Sequence, residues 1–181
     1  DDGSSDGALK KYLKTLKSNP RIDIKFRDTN GHISAASNSA IELVKGEFLD
    51  FLDHDDQLHP HALACLIGEL NKRPTYDLIY TDEDKINEWG YRSEPHFKPD
   101  WNPDLLLSQN YVCHFAIFRT KIVRGIGGLR EGYEGAQDYD LLLRFTEKTD
   151  KILHIPLVLY HWRAIEGSTA LDGSEKEYAH E

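Results

Sequence analysis

Three carboxylates follow a short apolar segment within residues 46–60, whose sequence is GEFLDFLDHDDQLHP. The apolar residues predict a strand over 48–52, which would place Asp53, Asp55 and Asp56 beyond its carboxyl end. Carboxylates grouped at the end of a buried strand are costly unless a positive charge lies among them. Ligands of open α/β sheets bind at this edge, and hard oxygen ligands suit Mg²⁺ or Mn²⁺. The segment therefore predicts a divalent-cation site.

Helix caps, a calcium loop and a solvated turn are the alternative interpretations of these aspartates. Capping does not fit, because Pro60 at the first helical position would make His59 the cap residue. An EF-hand loop does not fit either, since its sixth position would be Leu58 instead of glycine and its twelfth Ala64 instead of glutamate. A solvated turn remains open.

A second acidic group follows the strand predicted over 77–81, DLIYT. Asp82, Glu83 and Asp84 come directly after it and repeat the pattern of carboxylates at a strand end. They are the second set of carboxylates in the chain that could contact a ligand.

A clear helix is predicted over 138–147, and its first residue is Asp138. The simplest interpretation of Asp138 is a helix N-cap. However, Asp138 shares one helical face with Leu142 and Phe145, so its carboxylate can also point inward. Both interpretations stay open from the residues alone.

The remaining polar residues carry weaker signals. His161 follows a predicted strand in VLYHWR, where a packed, hydrogen-bonded histidine is more usual than a ligand. Arg163 and Lys98 could bind phosphate, although surface charges are the ordinary interpretation. Cys113 and His114 are adjacent, and adjacent side chains of a strand point to opposite faces, so we predict no Cys–His dyad.

Composition limits the class of protein. The chain has 181 residues, 39% of them hydrophobic and 29% charged, which fits one soluble globular domain. Its net charge of −9 argues against nucleic acid as a partner, and it would repel a diphosphate unless a cation intervened. Two cysteines do not form a disulfide framework, and no apolar segment is long enough to span a bilayer.

Strands and helices alternate in the first half of the sequence, which predicts a mostly parallel sheet with helices on both faces. The predicted helices of this half cover 8–16, 35–44 and a segment from Pro60, and the predicted strands cover 22–26, 48–52 and 77–81. The second half is mixed, with a hairpin over 85–92, strands over 112–118 and 152–160, and helices near 103–109, 121–125 and 138–147.

These segments together resemble the family-2 glycosyltransferases, which have the Rossmann-like GT-A fold of nucleotide-diphospho-sugar transferases. The similar segments are DDGSSD, NGHISAASNSAI, GEFLDFLDHDD, YTDEDKI, FKPDWNPDLLLSQNY, GGLREGYEGAQDYDLLLRF, HIPLVLYHWR and GSTA, in the family's order. The resemblance covers nearly the whole chain and is strongest to bacterial enzymes that build O-antigen or other surface polysaccharides. It implies an α/β fold with a central, mostly parallel mixed sheet.

The resemblance implies specific roles in the donor site. Asp2 and Asn38 match nucleotide-binding positions, although Ser37 replaces the arginine that many members have before Asn38. Asp53 and Asp55 match the DXD motif, which implies that Asp55 binds Mn²⁺ or Mg²⁺ and that Asp53 lies by the ribose or in the metal's outer shell.

It also implies the remaining roles. Asp138 matches the general base, with Gln137 in place of the family's preceding glutamate. His161 resembles a late histidine that binds the metal or the diphosphate, and Arg163 is a phosphate candidate. The candidates for acceptor binding are Asp82, Glu83, Asp84, Trp89 and Trp101.

The implied reaction is metal-dependent, inverting transfer of a sugar from a UDP- or dTDP-sugar to a glycan or lipid-linked glycan. The rivals are a metal-dependent phosphohydrolase or phosphotransferase, and a noncatalytic nucleotide-sugar-binding fragment. We expect a cytoplasmic location with peripheral association at the inner face of the membrane.

The family also suggests how the chain is organised. We expect one domain over 1–181 that lacks the family's first strand and helix. Its nucleotide and metal half would be 1–60, its acceptor and catalytic half 77–166, and its mobile tail 167–181.

Overall fold

A mixed six-stranded sheet forms the centre of the computed structural model, which describes residues 1–164. The helices are α1 (Gly7–Leu16), α2 (His32–Ile41), α3 (Ala62–Lys72), α4 (Pro103–Leu106), α5 (Thr120–Gly125) and α6 (Gln137–Thr146). The strands are β1 (Phe48–Leu49), β2 (Gln57–Leu58), β3 (Leu78–Ile86), β4 (Arg92–His96), β5 (Ala116–Arg119) and β6 (Ile152–Arg163). The predicted tail over 167–181 lies outside the described residues.

The strand order is β1-β5-β3-β6-β2, and β4 pairs with β3 in addition. Of the five strand pairs within the described part of the chain, β3–β6 is parallel and four are antiparallel. The α/β class is as predicted, but the expectation of a mostly parallel sheet is wrong. The reason is that β1 and β2, from the first half of the chain, pair in antiparallel fashion with β5 and β6 from the second half.

The two central strands, β3 and β6, are longer than predicted. Two residues of β6, Pro156 and Leu157, are inserted between the partners of Thr81 and Asp82 as a bulge. Proline has no N–H to donate to a ladder, so a bulge accommodates it without ending the strand. The ladder then continues to the end of both strands, so Pro156 does not interrupt β6.

This continuation corrects the position of the second acidic group. Asp82, Glu83 and Asp84 lie inside β3, where they pair with Val158, Tyr160 and His161, with a second register shift between Asp82 and Glu83. All three are buried. The prediction that they follow a strand end is therefore wrong, because the partner strand extends the pairing beyond 81.

The structure changes other predicted boundaries too. The strand predicted over 22–26 does not form, and an isolated parallel bridge joins Asp2 to Arg27 there. The strand predicted over 48–52 is limited to β1, so the chain leaves the sheet before Asp50. The helix predicted over 35–44 is displaced toward the N-terminus as α2.

The hydrophobic core has two layers, one on each face of the sheet. Alternate residues of β3 point to opposite faces, so Leu78 and Tyr80 join one cluster while Ile79 joins the other. The first cluster includes Phe145 of α6, and the second includes Leu66 of α3. The first cluster also contains Leu49 of β1, so it holds α6 and the end of β1 on the same face of the sheet.

Candidate active site

A cavity of about 1250 Å³ lies at the end of β1. Its wall is built from one face of α2, the segment after β1, the loop before β5 and the first turns of α6. The volume is slightly above the range of about 300–1,000 Å³ that is usual for small-molecule sites. The cavity is therefore large enough for a ligand of nucleotide-sugar size.

Three of the predicted site residues, Asp53, Glu83 and Asp138, line this same cavity. Asp138 lies in the first turn of α6, whose N-cap position is Ala136, so the N-cap interpretation of Asp138 is wrong. Leu142 also lines the cavity, which confirms the shared inward face. The Asp138 carboxylate is exposed to the cavity and accepts a hydrogen bond from Asn110 Nδ2 at 3.0 Å.

Asp140, two residues further along α6, has a different environment. Its carboxylate is buried and accepts hydrogen bonds from Arg130 Nε at 3.1 Å and Arg144 Nε at 2.9 Å. Although burial opposes the charged form, these two guanidinium groups hold the pKa of Asp140 below its usual value. Asp140 therefore holds α6 in place, while Asp138 stays available to a ligand.

Asp53, Asp56 and His114 form a cluster whose potential ligand atoms all lie within 4.8 Å of one another. Asp56 is held in place, because its carboxylate accepts hydrogen bonds from the Tyr160 hydroxyl and from Arg163 N, the latter at 2.7 Å. The two carboxylate oxygens are ligands that suit Mn²⁺ or Mg²⁺, and the imidazole adds a nitrogen donor. The cluster is where the structure could hold the predicted cation.

A buried ion pair supports the loop that carries His114. Lys98 Nζ donates to Glu83 Oε2 at 3.1 Å and to Val112 O at 2.6 Å, and it also contacts His114 O. Glu83 Oε2 in turn accepts from His114 N at 3.0 Å. The buried charges of Lys98 and Glu83 thus satisfy each other and fix the backbone next to the cluster.

Electrostatics couple Glu83 to His114. Burial disfavours the ionised form of Glu83, yet His114, His96 and the Lys98 ammonium outweigh it and hold the pKa of Glu83 well below its usual range. Burial also disfavours protonated His114, but Glu83, Asp53 and Asp56 outweigh it and raise the pKa of His114. A carboxylate behind a metal-binding imidazole is a common arrangement, and Glu83 Oε2 lies 3.5 Å from His114 Nδ1.

Asp50 is a further carboxyl group in the cavity wall. Burial raises its pKa to about 8, although the backbone N–H groups of Phe51 and Ala116 favour the ionised form. In an unfolded chain the pKa of an aspartate is about 3.9. Between about pH 4 and pH 8 the folded protein therefore keeps a proton that the unfolded chain has released, so this group lowers stability as the pH rises.

We expect Asp50→Asn to remove this pH dependence. The neutral amide keeps the shape of the protonated carboxyl, so the variant should melt above the wild type at pH 8, with a smaller difference at pH 5. Thermal unfolding at both pH values measures it, with exposed Glu88→Gln as the control. A difference in Tm that does not grow with pH would contradict the assignment.

The two residues predicted to bind metal, Asp55 and His161, lie outside the cluster. The Asp55 side chain is partly exposed, and its backbone oxygen accepts a hydrogen bond from Arg163 Nε at 2.5 Å. His161 is buried, with Nδ1 2.6 Å from Asp84 Oδ1. Their metal contacts, and a phosphate contact by Arg163, stay predictions.

The predicted nucleotide-binding residues Asp2 and Asn38 contact the protein itself. Asp2 accepts from Gly31 N at 2.9 Å and pairs with Arg27 Nε at 2.7 Å. The Asn38 amide donates to Leu129 O at 2.8 Å and accepts from Leu129 N at 2.9 Å, so both its ends are occupied. A nucleotide contact by either residue stays a prediction.

Gly128 allows α2 to lie close to the loop that contains Leu129. It has φ +70°, and a Cβ there would lie 2.3 Å from Asn38 Oδ1. Only glycine fits both the positive φ and the close contact. Gly128 is therefore needed to bring the Asn38 amide against Leu129.

The predicted acceptor-binding residues are dispersed. Of the three β3 carboxylates, Glu83 lines the cavity, whereas Asp82 pairs with His154 Nε2 at 2.9 Å and Asp84 with Arg92 Nε at 2.6 Å. Trp101 packs half-buried beside the core. Exposed Trp89 lies in the turn between β3 and β4. The acceptor-binding roles of these residues stay predictions.

Three cavity residues were missed from the sequence: Asp50, Asn110 and His114. The strand predicted over 112–118 placed His114 inside the sheet, but β5 begins at Ala116, so His114 lies in the preceding loop. The polar run SQN before Tyr111 was the available signal of a loop. For Asp50, no signal separates it from the apolar residues around it.

Comparisons with known proteins identify relatives. The model of the family described as glycosyl transferase family 2 matches residues 1–127. The O-antigen biosynthesis protein RfbC of Myxococcus xanthus is 43% identical over 171 residues, which cover 94% of this chain and 13% of that protein. Chondroitin synthase of Pasteurella multocida is 30% identical over 182 residues, with coverages of 98% and 18%. The chain thus spans less than a fifth of the length of these relatives.

A solved structure shows the same fold. The crystal structure of S. aureus TarS 1–349 in complex with UDP-GlcNAc matches with a TM-score of 0.73 at 19% identity, covering 93% of this chain and 49% of that chain. The fold is therefore the GT-A fold, with a curled mixed sheet between helices, and the predicted fold class is confirmed. Because the family model also covers more than half of the sequence, the chain belongs to glycosyl transferase family 2.

Proposed function

We propose that this domain transfers a sugar from a nucleoside-diphosphate sugar to a hydroxyl group of a glycan. The observation that carries the proposal is that Asp138 lines the same cavity as Asp53 and His114, two of the three residues of the Asp53–Asp56–His114 cluster. A base and a cation site in one cavity are what a hydroxyl attack on a diphosphate-linked sugar requires. TarS, a structural neighbour, binds UDP-GlcNAc, which supports a UDP-sugar as donor.

The residues of the chain would divide the reaction between them. Asp138 would accept the proton of the acceptor hydroxyl while the hydroxyl oxygen attacks the anomeric carbon of the donor sugar. One displacement from the face opposite the diphosphate inverts the anomeric configuration. The apolar wall around Leu142 and Phe118 would keep water away from the sugar.

Asp53, Asp56 and His114 fit a divalent cation for two reasons. Their ligand atoms already lie within 4.8 Å of one another. In addition, Glu83 Oε2 lies 3.5 Å from His114 Nδ1, and a carboxylate in this position orients a metal-binding imidazole. When bound, Mn²⁺ or Mg²⁺ neutralises charge on the departing diphosphate. An acidic chain of net charge −9 has need of such a countercharge.

For the acceptor we propose a polysaccharide or a lipid-linked glycan made at the inner face of the cytoplasmic membrane. The support is that the relative RfbC is named for O-antigen biosynthesis. Within the described residues, no helix is long and apolar enough to cross a bilayer. Peripheral association through the acceptor is the form of membrane contact that we propose.

A screen of nucleotide sugars tests this function. The protein is incubated with each donor, Mn²⁺ and a mixture of glycan acceptors, and both nucleoside diphosphate and inorganic phosphate are quantified. We expect one donor to release nucleoside diphosphate in an acceptor-dependent reaction. Release of inorganic phosphate would indicate a phosphohydrolase instead, and binding without release from any donor would indicate a noncatalytic module.

A further inference from the structure

The side chain of Asn110 joins two parts of the cavity wall. Its Nδ2 donates to Asp138 Oδ2 at 3.0 Å, and its Oδ1 accepts from Cys113 N at 3.2 Å. The second bond fixes which end of the amide faces Asp138, because a backbone N–H requires the oxygen end. The donor end of Asn110 is thus directed at Asp138.

The other end of this connection is rigid. Cys113 Sγ donates back to Asn110 O at 3.1 Å. The residues on either side of Cys113 are fixed by buried charges, because Lys98 donates to Val112 O and Glu83 accepts from His114 N. This loop also carries His114 of the acidic cluster. Asn110 therefore ties the first turn of α6 to the loop that would help to hold the cation.

This contact has a consequence for the carboxylate. One oxygen of Asp138, Oδ2, is occupied by the amide, and no other side chain of residues 1–164 hydrogen-bonds either of its oxygens. Oδ1 is left as the oxygen that faces an incoming hydroxyl. A side chain fixed before the substrate binds loses less freedom during the reaction, and small displacements of a base can cost about 100-fold in rate.

We propose that Asn110 is a positioning residue, which orients the Asp138 carboxylate relative to the Asp53–Asp56–His114 cluster. The proposal deepens the proposed function and rests on it, because it assumes that Asp138 is the base. Asn110 itself would touch no reacting atom. Its effect passes through the one hydrogen bond to Asp138.

The test uses Asn110→Asp, which keeps an oxygen for Cys113 N but replaces the donor with a second carboxylate. We expect kcat to fall at least about tenfold, while KM for the nucleotide sugar changes less than about twofold. A role limited to folding would change the amount of active protein and leave kcat per folded molecule unchanged. An unchanged kcat would overturn the proposal.

A swap variant, Asn110→Asp with Asp138→Asn, tests the contact without any need for activity. In thermal unfolding, Asn110→Asp alone should lower Tm by about 2–4 °C, since two carboxylates face each other, and the swap should recover most of this loss. Equal Tm losses with and without Asp138→Asn would overturn the contact. If the wild type transfers no sugar from any donor, the proposed function fails. The Tm comparison of the single and swap variants then still decides whether Asn110 holds Asp138.

Discussion

Replacing Asp138 with asparagine is expected to lower kcat by about 10²–10⁴-fold, the range for loss of a general base. The amide cannot accept the proton of the acceptor hydroxyl, yet it has nearly the same shape and can still accept a hydrogen bond from Asn110 Nδ2. Binding of UDP, measured by calorimetry, should therefore stay close to that of the wild type. Transfer measured under saturating donor and acceptor gives the loss in kcat.

Two control variants separate chemistry from folding. Asp104→Asn makes the same chemical change at an exposed position of α4 and should leave kcat unchanged. Asp140→Asn should lower Tm instead, because it removes the buried negative charge that pairs with Arg130 and Arg144, at a cost of about 1–3 kcal/mol. If Asp138→Asn kept wild-type turnover, Asp138 would not be the base.

Loss of the Asp53 carboxylate is expected to weaken Mn²⁺ binding by at least about tenfold, equivalent to about 1.4 kcal/mol. The reason is that Asp53 supplies one of three potential ligands that the structure brings together. Electron paramagnetic resonance of free Mn²⁺ measures binding directly, without any enzyme activity. UDP affinity should fall in parallel, and chelator should reduce wild-type UDP affinity to the same level.

His54 provides a control for this measurement, and Asp55 is the alternative candidate for the metal ligand. His54→Ala removes a side chain that is 99% exposed and should leave Mn²⁺ binding unchanged. Asp55→Ala distinguishes the structural cluster from the motif, since the DXD resemblance assigns the metal to Asp55. A large loss with Asp55→Ala and none with Asp53→Ala would show that the cluster of Asp53, Asp56 and His114 is not the metal site.

Local motifs were enough to find Asp53 and Asp138, because Asp53 lies within a short, recognisable acidic motif and Asp138 lies at the start of a helix. The structure adds that both face one cavity, which no local pattern states. Helices with a strong apolar period, such as α1 and α6, were predicted to within a residue at either end. Their positions depend mainly on nearby residues.

The errors share a physical cause, namely pairing between distant parts of the chain. Asp82, Glu83 and Asp84 belong to β3 because β6, more than 70 residues later, extends the ladder past Thr81. His114 lies in a loop because buried Lys98 and Glu83 hold its backbone outside the strand. Contacts of this kind are set by the folded sheet, and the period of a single segment cannot predict them.

A crystal structure of the protein with Mn²⁺ and UDP tests the central claim most directly, because anomalous scattering identifies the manganese. We expect the manganese peak among Asp53, Asp56 and His114, with the diphosphate in the cavity that Asp138 lines. Manganese or diphosphate bound outside this cavity would contradict the claim that cation, donor and base share one site.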